Sequence, residues 1–271
     1  KNKKKVFRFP LFVFRLFSYL CVINYVKMKI RLFTIPNCIT LCNLLCGVVS
    51  IIMSLSHSDF QLAFAFVLAA AVFDFLDGFT ARLLKQYSEV GVQLDSLADM
   101  VSFGVAPAIA MAVLCGEMPS VLGLSELWSE VVCYLPFLIA ALSALRLAKF
   151  NVDASQKEEF EGLPTPASAI LCLSLAALCE RYQLTIGLEW LALMSVLVAA
   201  LLVSPIRMFS FKFHSWGLGD KDNVLRFGFL IVSCLLICLI KLYAIPTIIV
   251  MYIAVSSLRW VLLKHKSKEQ K

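Results

Sequence analysis

Charge is scarce in this chain. Only 16% of its 271 residues are Asp, Glu, Lys or Arg, where a globular domain averages about 25%. Apolar residues make up 61%, and the mean hydropathy is +0.86. Those values exclude an ordinary water-soluble domain. The net charge of +7 comes without a basic stripe or interleaved aromatic platforms, which excludes nucleic acid as a partner and leaves an anionic membrane surface. Three histidines, His57, His214 and His265, fall in loops or tails, and none is assigned a ligand role. Ten cysteines are present, but most lie within apolar runs, so a disulfide scaffold is excluded. Cys38, Cys42 and Cys46 share one helix face without a histidine partner and read as small packing residues.

What is there is apolar sequence in long runs. Eight stretches approach or reach the length needed to cross about 30 Å of hydrocarbon: residues 35–56, 60–81, 97–115, 131–149, 166–180, 188–206, 224–240 and 245–262, the fifth being the weakest. The expected fold is an all-α integral membrane protein, a bundle of about eight transmembrane helices. If the first run enters from the cytoplasm, the inside loops collect Arg31, Arg82, Lys85, Arg146, Lys149, Arg207 and Arg259, and the outside loops hold only Arg181 and Lys241. That asymmetry satisfies the positive-inside rule. One membrane domain over residues 28–263 and a basic cytoplasmic tail over 264–271 follow. Residues 1–27 have a basic start and an apolar middle but no small-residue cleavage site. They are expected to be an upstream extension ahead of Met28, or an interfacial helix.

Against this background four carboxylates stand out. Asp74, Asp77, Asp95 and Asp99 sit in DFLDGFTARLLKQYSEVGVQLDSLAD. A charge at the centre of a spanning helix costs about 2.5–3.5 kcal/mol, so four facing lipid would cost on the order of 10 kcal/mol. They must face a polar cavity open to the cytoplasm. On a helical wheel Asp77 lies about 60° from Asp74, with Gly78 and Ala81 about 40° and 20° from it. Two residues with almost no side chain thus flank two carboxylates, and Arg82, roughly 80° round, borders the same face. Asp95 and Asp99 are one turn apart on the next helix, after a loop containing Gly91, and α-helical spacing continues their stripe through Ser102 and Ala106. Four carboxylates on antiparallel neighbours suit Mg²⁺ or Mn²⁺ in a two-ion site, with one left as a general base, for which Asp99 is the candidate. The alternative is a polar seam, with carboxylates paired to Arg82, Lys85 or Arg146, or lining a cation pathway.

The spacing Asp74-x2-Asp77-Gly78-x2-Ala81-Arg82-x8-Gly91-x3-Asp95-x3-Asp99 resembles the signature of the CDP-alcohol phosphatidyltransferase family, with every position filled. The resemblance implies an enzyme that moves a phosphatidyl group and releases CMP. By that resemblance Asp74, Asp77 and Asp95 bind two divalent ions, Asp99 adjoins them as the base, and Gly78, Ala81 and Arg82 hold the cytidine diphosphate. It further implies CDP-diacylglycerol as donor, a membrane-lipid setting in a bacterial inner membrane with the site facing the cytoplasm, and a homodimer.

Four further stretches resemble the bacterial and archaeal branch of the family that uses L-serine: IPNCITLCNLLCG from Ile35, SFGVAPA from Ser102, LRLAKFNV from Leu145 and GLPTPA from Gly162. Glycerol 3-phosphate or inositol is the alternative acceptor, and a non-enzymatic cation carrier a more distant reading. Lys149 stands where that branch is expected to carry arginine, which keeps the charge but not the bidentate fork. Serine brings a carboxylate, so Arg146 and Lys149, i and i+3 neighbours, are candidates to clamp it, with Asn151 as a polar contact. The same two cations also fit as anchors reaching for lipid headgroups. Ser102 is placed to touch the acceptor or to hydrogen-bond its own helix.

Overall fold

The computed structural model of the chain describes residues 32–152, 160–208, 221–240 and 243–269. The expected extension or interfacial helix over 1–27 lies outside the described residues.

Each apolar run forms a helix, and polar residues at the ends set the boundaries. Helix α1, Ile35–His57, begins at Thr34, whose hydroxyl accepts from the Asn37 amide at 3.3 Å, with Pro36 in the first turn where no N–H is needed. It ends at Ser58, in the left-handed region with φ 46°. Helix α2, Phe60–Leu83, is capped by Asp59, which accepts from the Leu62 amide at 2.8 Å. Ser88 caps α3, Glu89–Asp99, by accepting from the Gly91 amide at 2.9 Å. Gly91 is therefore in the first turn of α3 and not in a loop; the serine hydroxyl starts the helix earlier than the apolar pattern does.

From α3 the chain runs without a break through a π-helical segment, Met100–Val105, into α4, Ala106–Glu117. Pro107 explains the widened turn. It has no N–H to give the carbonyl four residues back and its ring would crowd that carbonyl, whereas the Ala106 amide reaches Val101, five residues back. The α spacing that would align Ser102 and Ala106 with Asp95 and Asp99 does not hold across this segment. The short α5, Glu126–Cys133, and α6, Phe137–Val152, are separated by a turn at Pro136 and together make one long apolar element.

Helices α7, Thr165–Tyr182, and α8, Leu188–Leu202, follow, then α9, Lys221–Ile240, and α10, Ala244–Glu269. Among the described residues, five elements are long and apolar enough to cross a membrane: α1, α2, the continuous Glu89–Glu117, Glu126–Val152, and Ala244–Leu262. Leu188–Leu202 and Phe227–Ile240 are apolar but shorter. Helix α7, the weakest apolar run, is buried along most of its length, packed by α2, α4 and α10. A helix walled off by its neighbours does not need a lipid-grade surface, which accounts for its serines and alanines. One departure from an all-helical chain is a two-residue antiparallel pair, β1 Phe160–Glu161 against β2 Arg207–Met208.

In α1 the burial is inverted relative to a soluble helix. Asn37, Thr40, Asn43, Gly47, Ser50 and Ser54 are buried, while Ile35, Val48, Ile52 and Leu55 are exposed. The apolar side meets lipid and the polar side meets α2, α3 and the π segment. At the end of the bundle away from the carboxylates, polar staples join the elements. Ser58 donates to Glu117, Glu180 accepts from the Gln61 amide at 2.9 Å, and Glu189 accepts from Ser120 and from the Val121 and Leu122 amides.

Candidate active site

The carboxylates gather near the other end, where α2 leaves and α3 begins. One oxygen each from Asp74, Asp95 and Asp99 lies within 4.8 Å of the others. The one-turn spacing of Asp95 and Asp99 on α3, facing Asp74 from antiparallel α2, produces this convergence. Asp77 is set apart from that trio. It is 6% exposed, and its Oδ2 accepts from the Thr40 hydroxyl of α1 at 2.6 Å. Helix α1 also reaches Asp99, whose Oδ1 accepts from Asn43 Nδ2 at 3.1 Å. Thr40 and Asn43 thus each hold one acid of the two pairs.

These two residues carry no role in the signature. The signal that could have found them is their spacing: Asn37, Thr40 and Asn43 recur every three residues in an otherwise apolar run, which puts amide, hydroxyl and amide on one side of a spanning helix.

The trio fits a hard divalent cation. Among the described residues no lysine or arginine forms an ion pair with these carboxylates, and Asp95 Oδ1 is buried with no hydrogen-bond partner. Three ionised carboxylates this close repel each other unless a cation stands between them. An all-oxygen donor set selects Mg²⁺-like or Mn²⁺-like ions over softer metals.

Around the trio the other candidates separate into two groups. Gly78 is exposed, with nothing within 4 Å of the position a Cβ would take, and Ala81 is half-buried beside it. Arg82 is exposed and folds back to donate from Nε to the Gly78 carbonyl at 3.1 Å. That stretch of α2 is therefore an open, cation-bordered surface. Arg146 of α6 is half-buried, its Nε is buried without a partner, and its guanidinium is within electrostatic reach of Asp99 and Tyr252.

Lys149 and Asn151 are at the rim instead. Lys149 pairs with Glu161 at 2.9 Å, both side chains being partly exposed. Asn151 exchanges hydrogen bonds with Ser96, at 2.8 and 3.2 Å. Ser102 is fully buried, donating to the Asn43 carbonyl of α1 at 3.0 Å. Its contact is with another helix, because the π turn swings it off the acid stripe. Among the described residues no cysteine forms a disulfide, and Cys38 is packed in the interior.

Comparison with known proteins places the chain in a family. Residues 33–205 match the family model described as CDP-alcohol phosphatidyltransferase. A protein of Helicobacter pylori strain J99 named CDP-diacylglycerol–serine O-phosphatidyltransferase is 31% identical over 239 residues, covering 87% of this chain and 94% of that protein. Proteins of the same name from Bacillus subtilis and Methanocaldococcus jannaschii are 34% and 30% identical over 182 and 177 residues. Those alignments cover 67% and 65% of this chain, and 93% and 74% of the two relatives. With more than half its length in that match and the acidic signature gathered at one end of a multi-pass membrane bundle, the chain belongs to the CDP-alcohol phosphatidyltransferase family.

Proposed function

We propose that the chain transfers the phosphatidyl group of CDP-diacylglycerol to the hydroxyl of L-serine and releases CMP, forming phosphatidylserine for membrane lipid synthesis. The convergence of Asp74, Asp95 and Asp99 within 4.8 Å carries the catalytic half of this reading. The name shared by the bacterial and archaeal relatives supports serine as the acceptor.

Asp74, Asp77, Asp95 and Asp99 would hold two divalent ions, Mg²⁺ or Mn²⁺, which when bound would neutralise charge developing on the pyrophosphate. Gly78 lets the donor approach the backbone, Ala81 widens that approach, and Arg82 turns from the Gly78 carbonyl to a phosphate oxygen. Arg146 meets the serine carboxylate from inside the cavity. Lys149 and Asn151 attract and orient the acceptor at the rim, and Ser102 supports the wall behind the base. Asp99 takes the hydroxyl proton of serine; the new bond forms between that oxygen and the β-phosphorus as the bond from phosphorus to the CMP oxygen breaks. Positioning and charge neutralisation carry most of the acceleration in such transfers.

In this reading all eight apolar runs are in the membrane, the cavity opens to the cytoplasm of a bacterial cell, and the working unit is a homodimer. The positive-inside distribution of Lys and Arg supports the orientation. CMP release from CDP-diacylglycerol in detergent with Mg²⁺ or Mn²⁺ tests the reaction. Serine should support it, and glycerol 3-phosphate and inositol should not.

A further inference from the structure

We propose that Asn43 is a positioning residue for the base: its side-chain amide occupies one oxygen of Asp99 and fixes the other towards the acceptor hydroxyl. The inference rests on the phosphatidyl-transfer reading above and extends it to a helix outside the acidic signature.

Asn43 is 0% exposed in the middle of an apolar spanning helix. Its Nδ2 donates to Asp99 Oδ1 at 3.1 Å, while its own Oδ1 is buried without a partner. A buried amide satisfied on one side only is a net cost to folding, and a leucine of similar shape would fill the space without that cost. Packing alone therefore does not account for an amide there; the hydrogen bond to the carboxylate does.

Both sides of that bond are anchored. The main-chain carbonyl of Asn43 accepts from Ser102 Oγ at 3.0 Å, and Ser102 lies three residues beyond Asp99 in the π segment. One turn along α1, Gly47 allows the approach: a Cβ there would stand 2.7 Å from Ser102 Cα and would overlap the Ser102 hydroxyl. Asp99 and the residue holding it are thus tied between the same two elements at two points. Thr40 does the same for Asp77 one turn earlier, at 2.6 Å.

A carboxylate with both oxygens free turns about its Cβ–Cγ bond and presents a proton acceptor in many directions. With Oδ1 held by Asn43, rotation of the carboxylate is restricted and the remaining oxygen is left for the acceptor hydroxyl, in a side chain that converges with Asp74 and Asp95. This is the geometric requirement for efficient proton removal from a bound alcohol.

The test uses the full chain in detergent, comparing the wild type with Asn43→Leu and Asn43→Ala. It reads kcat and KM for serine, together with the thermal stabilisation given by CDP-diacylglycerol with Mn²⁺. The expected result is a loss of about 10–100-fold in kcat, a serine KM within about twofold of wild type, and unchanged stabilisation by the donor. A merely structural residue would lower the amount of folded protein and leave kcat per folded molecule intact, and that result would overturn the proposal. So would a rise in serine KM that accounts for the whole loss, since Asn43 would then be contacting the acceptor. If the leucine and alanine variants do not fold, Asn43→Ser carries the test: its hydroxyl stops short of Asp99 and the same kcat loss is expected. A wild type that releases no CMP with serine would refute the underlying reading instead, a result separate from the behaviour of the variants.

Discussion

Gly47 and Gly78 are both helical glycines beside the acids, yet their surroundings are opposite. A methyl group at Gly47 would meet the Ser102 backbone at 2.7 Å, so Gly47→Ala is expected to destabilise the protein by about 1–3 kcal/mol, read as a lower melting temperature in detergent. At Gly78 a Cβ meets nothing within 4 Å. Gly78→Ala is expected to leave stability unchanged or raise it by about 0.5–1 kcal/mol, while the KM for CDP-diacylglycerol rises. A Gly78→Ala variant with normal donor KM would remove that glycine from the nucleotide surface. The acids themselves were legible in the sequence because carboxylates are conspicuous and costly in apolar runs. Thr40 and Asn43 were not, since a threonine or asparagine in a membrane helix has many uses and only the fold brings these two against Asp77 and Asp99. The departure of Asp77 from the other three likewise follows from Thr40 capturing it, a contact between residues 37 positions apart.

Among the elements, the π segment Met100–Val105 departs furthest from what periodicity foretold. It lies immediately after the proposed base and places Ser102 in the contact with α1. Pro107 is the sequence signal for it, though a proline in a helix marks a disturbance without saying which kind. Pro107→Ala restores the missing N–H and allows the turn to tighten to α geometry. The variant is expected to remain folded and to lose about tenfold in kcat as Asp99 and Ser102 rotate relative to α1. Wild-type kcat would mean that the π turn holds without the proline or does not matter to the base. Helix boundaries were readable where an apolar run ended in a capping residue, as at Thr34 and Asp59. The start of α3 was hidden because Glu89, Gln93 and Asp95 interrupt the apolar residues of its first two turns, and α7 looked weak because its neighbours, rather than lipid, cover it.

For the molecule as a whole, the two ends of the bundle are built differently. The end bearing Ser58, Gln61, Glu117, Glu180 and Glu189 is cross-linked by hydrogen bonds between helices, whereas the opposite end concentrates carboxylates with few partners. Exposed Val48, Ile52, Leu68, Val72 and Phe75 on α1 and α2 match the hydrocarbon of a bilayer. Because the helices pack through apolar and small side chains, a chelator is expected to abolish CMP release while leaving the helical circular dichroism intact. Mg²⁺ or Mn²⁺ should restore activity; full turnover in excess chelator would contradict an oxygen-ligated metal site. The membrane class and the family were legible from composition and one 26-residue pattern, while the arrangement that makes the pattern work came from contacts between distant helices. The most direct measurement of the central claim is CMP release from CDP-diacylglycerol with L-serine, by wild-type protein and by Asp99→Asn. The account predicts serine-dependent release by the wild type and a fall of about 10²–10⁴-fold in the folded variant. Equal rates in the two proteins, or release with glycerol 3-phosphate or inositol but not with serine, would contradict it.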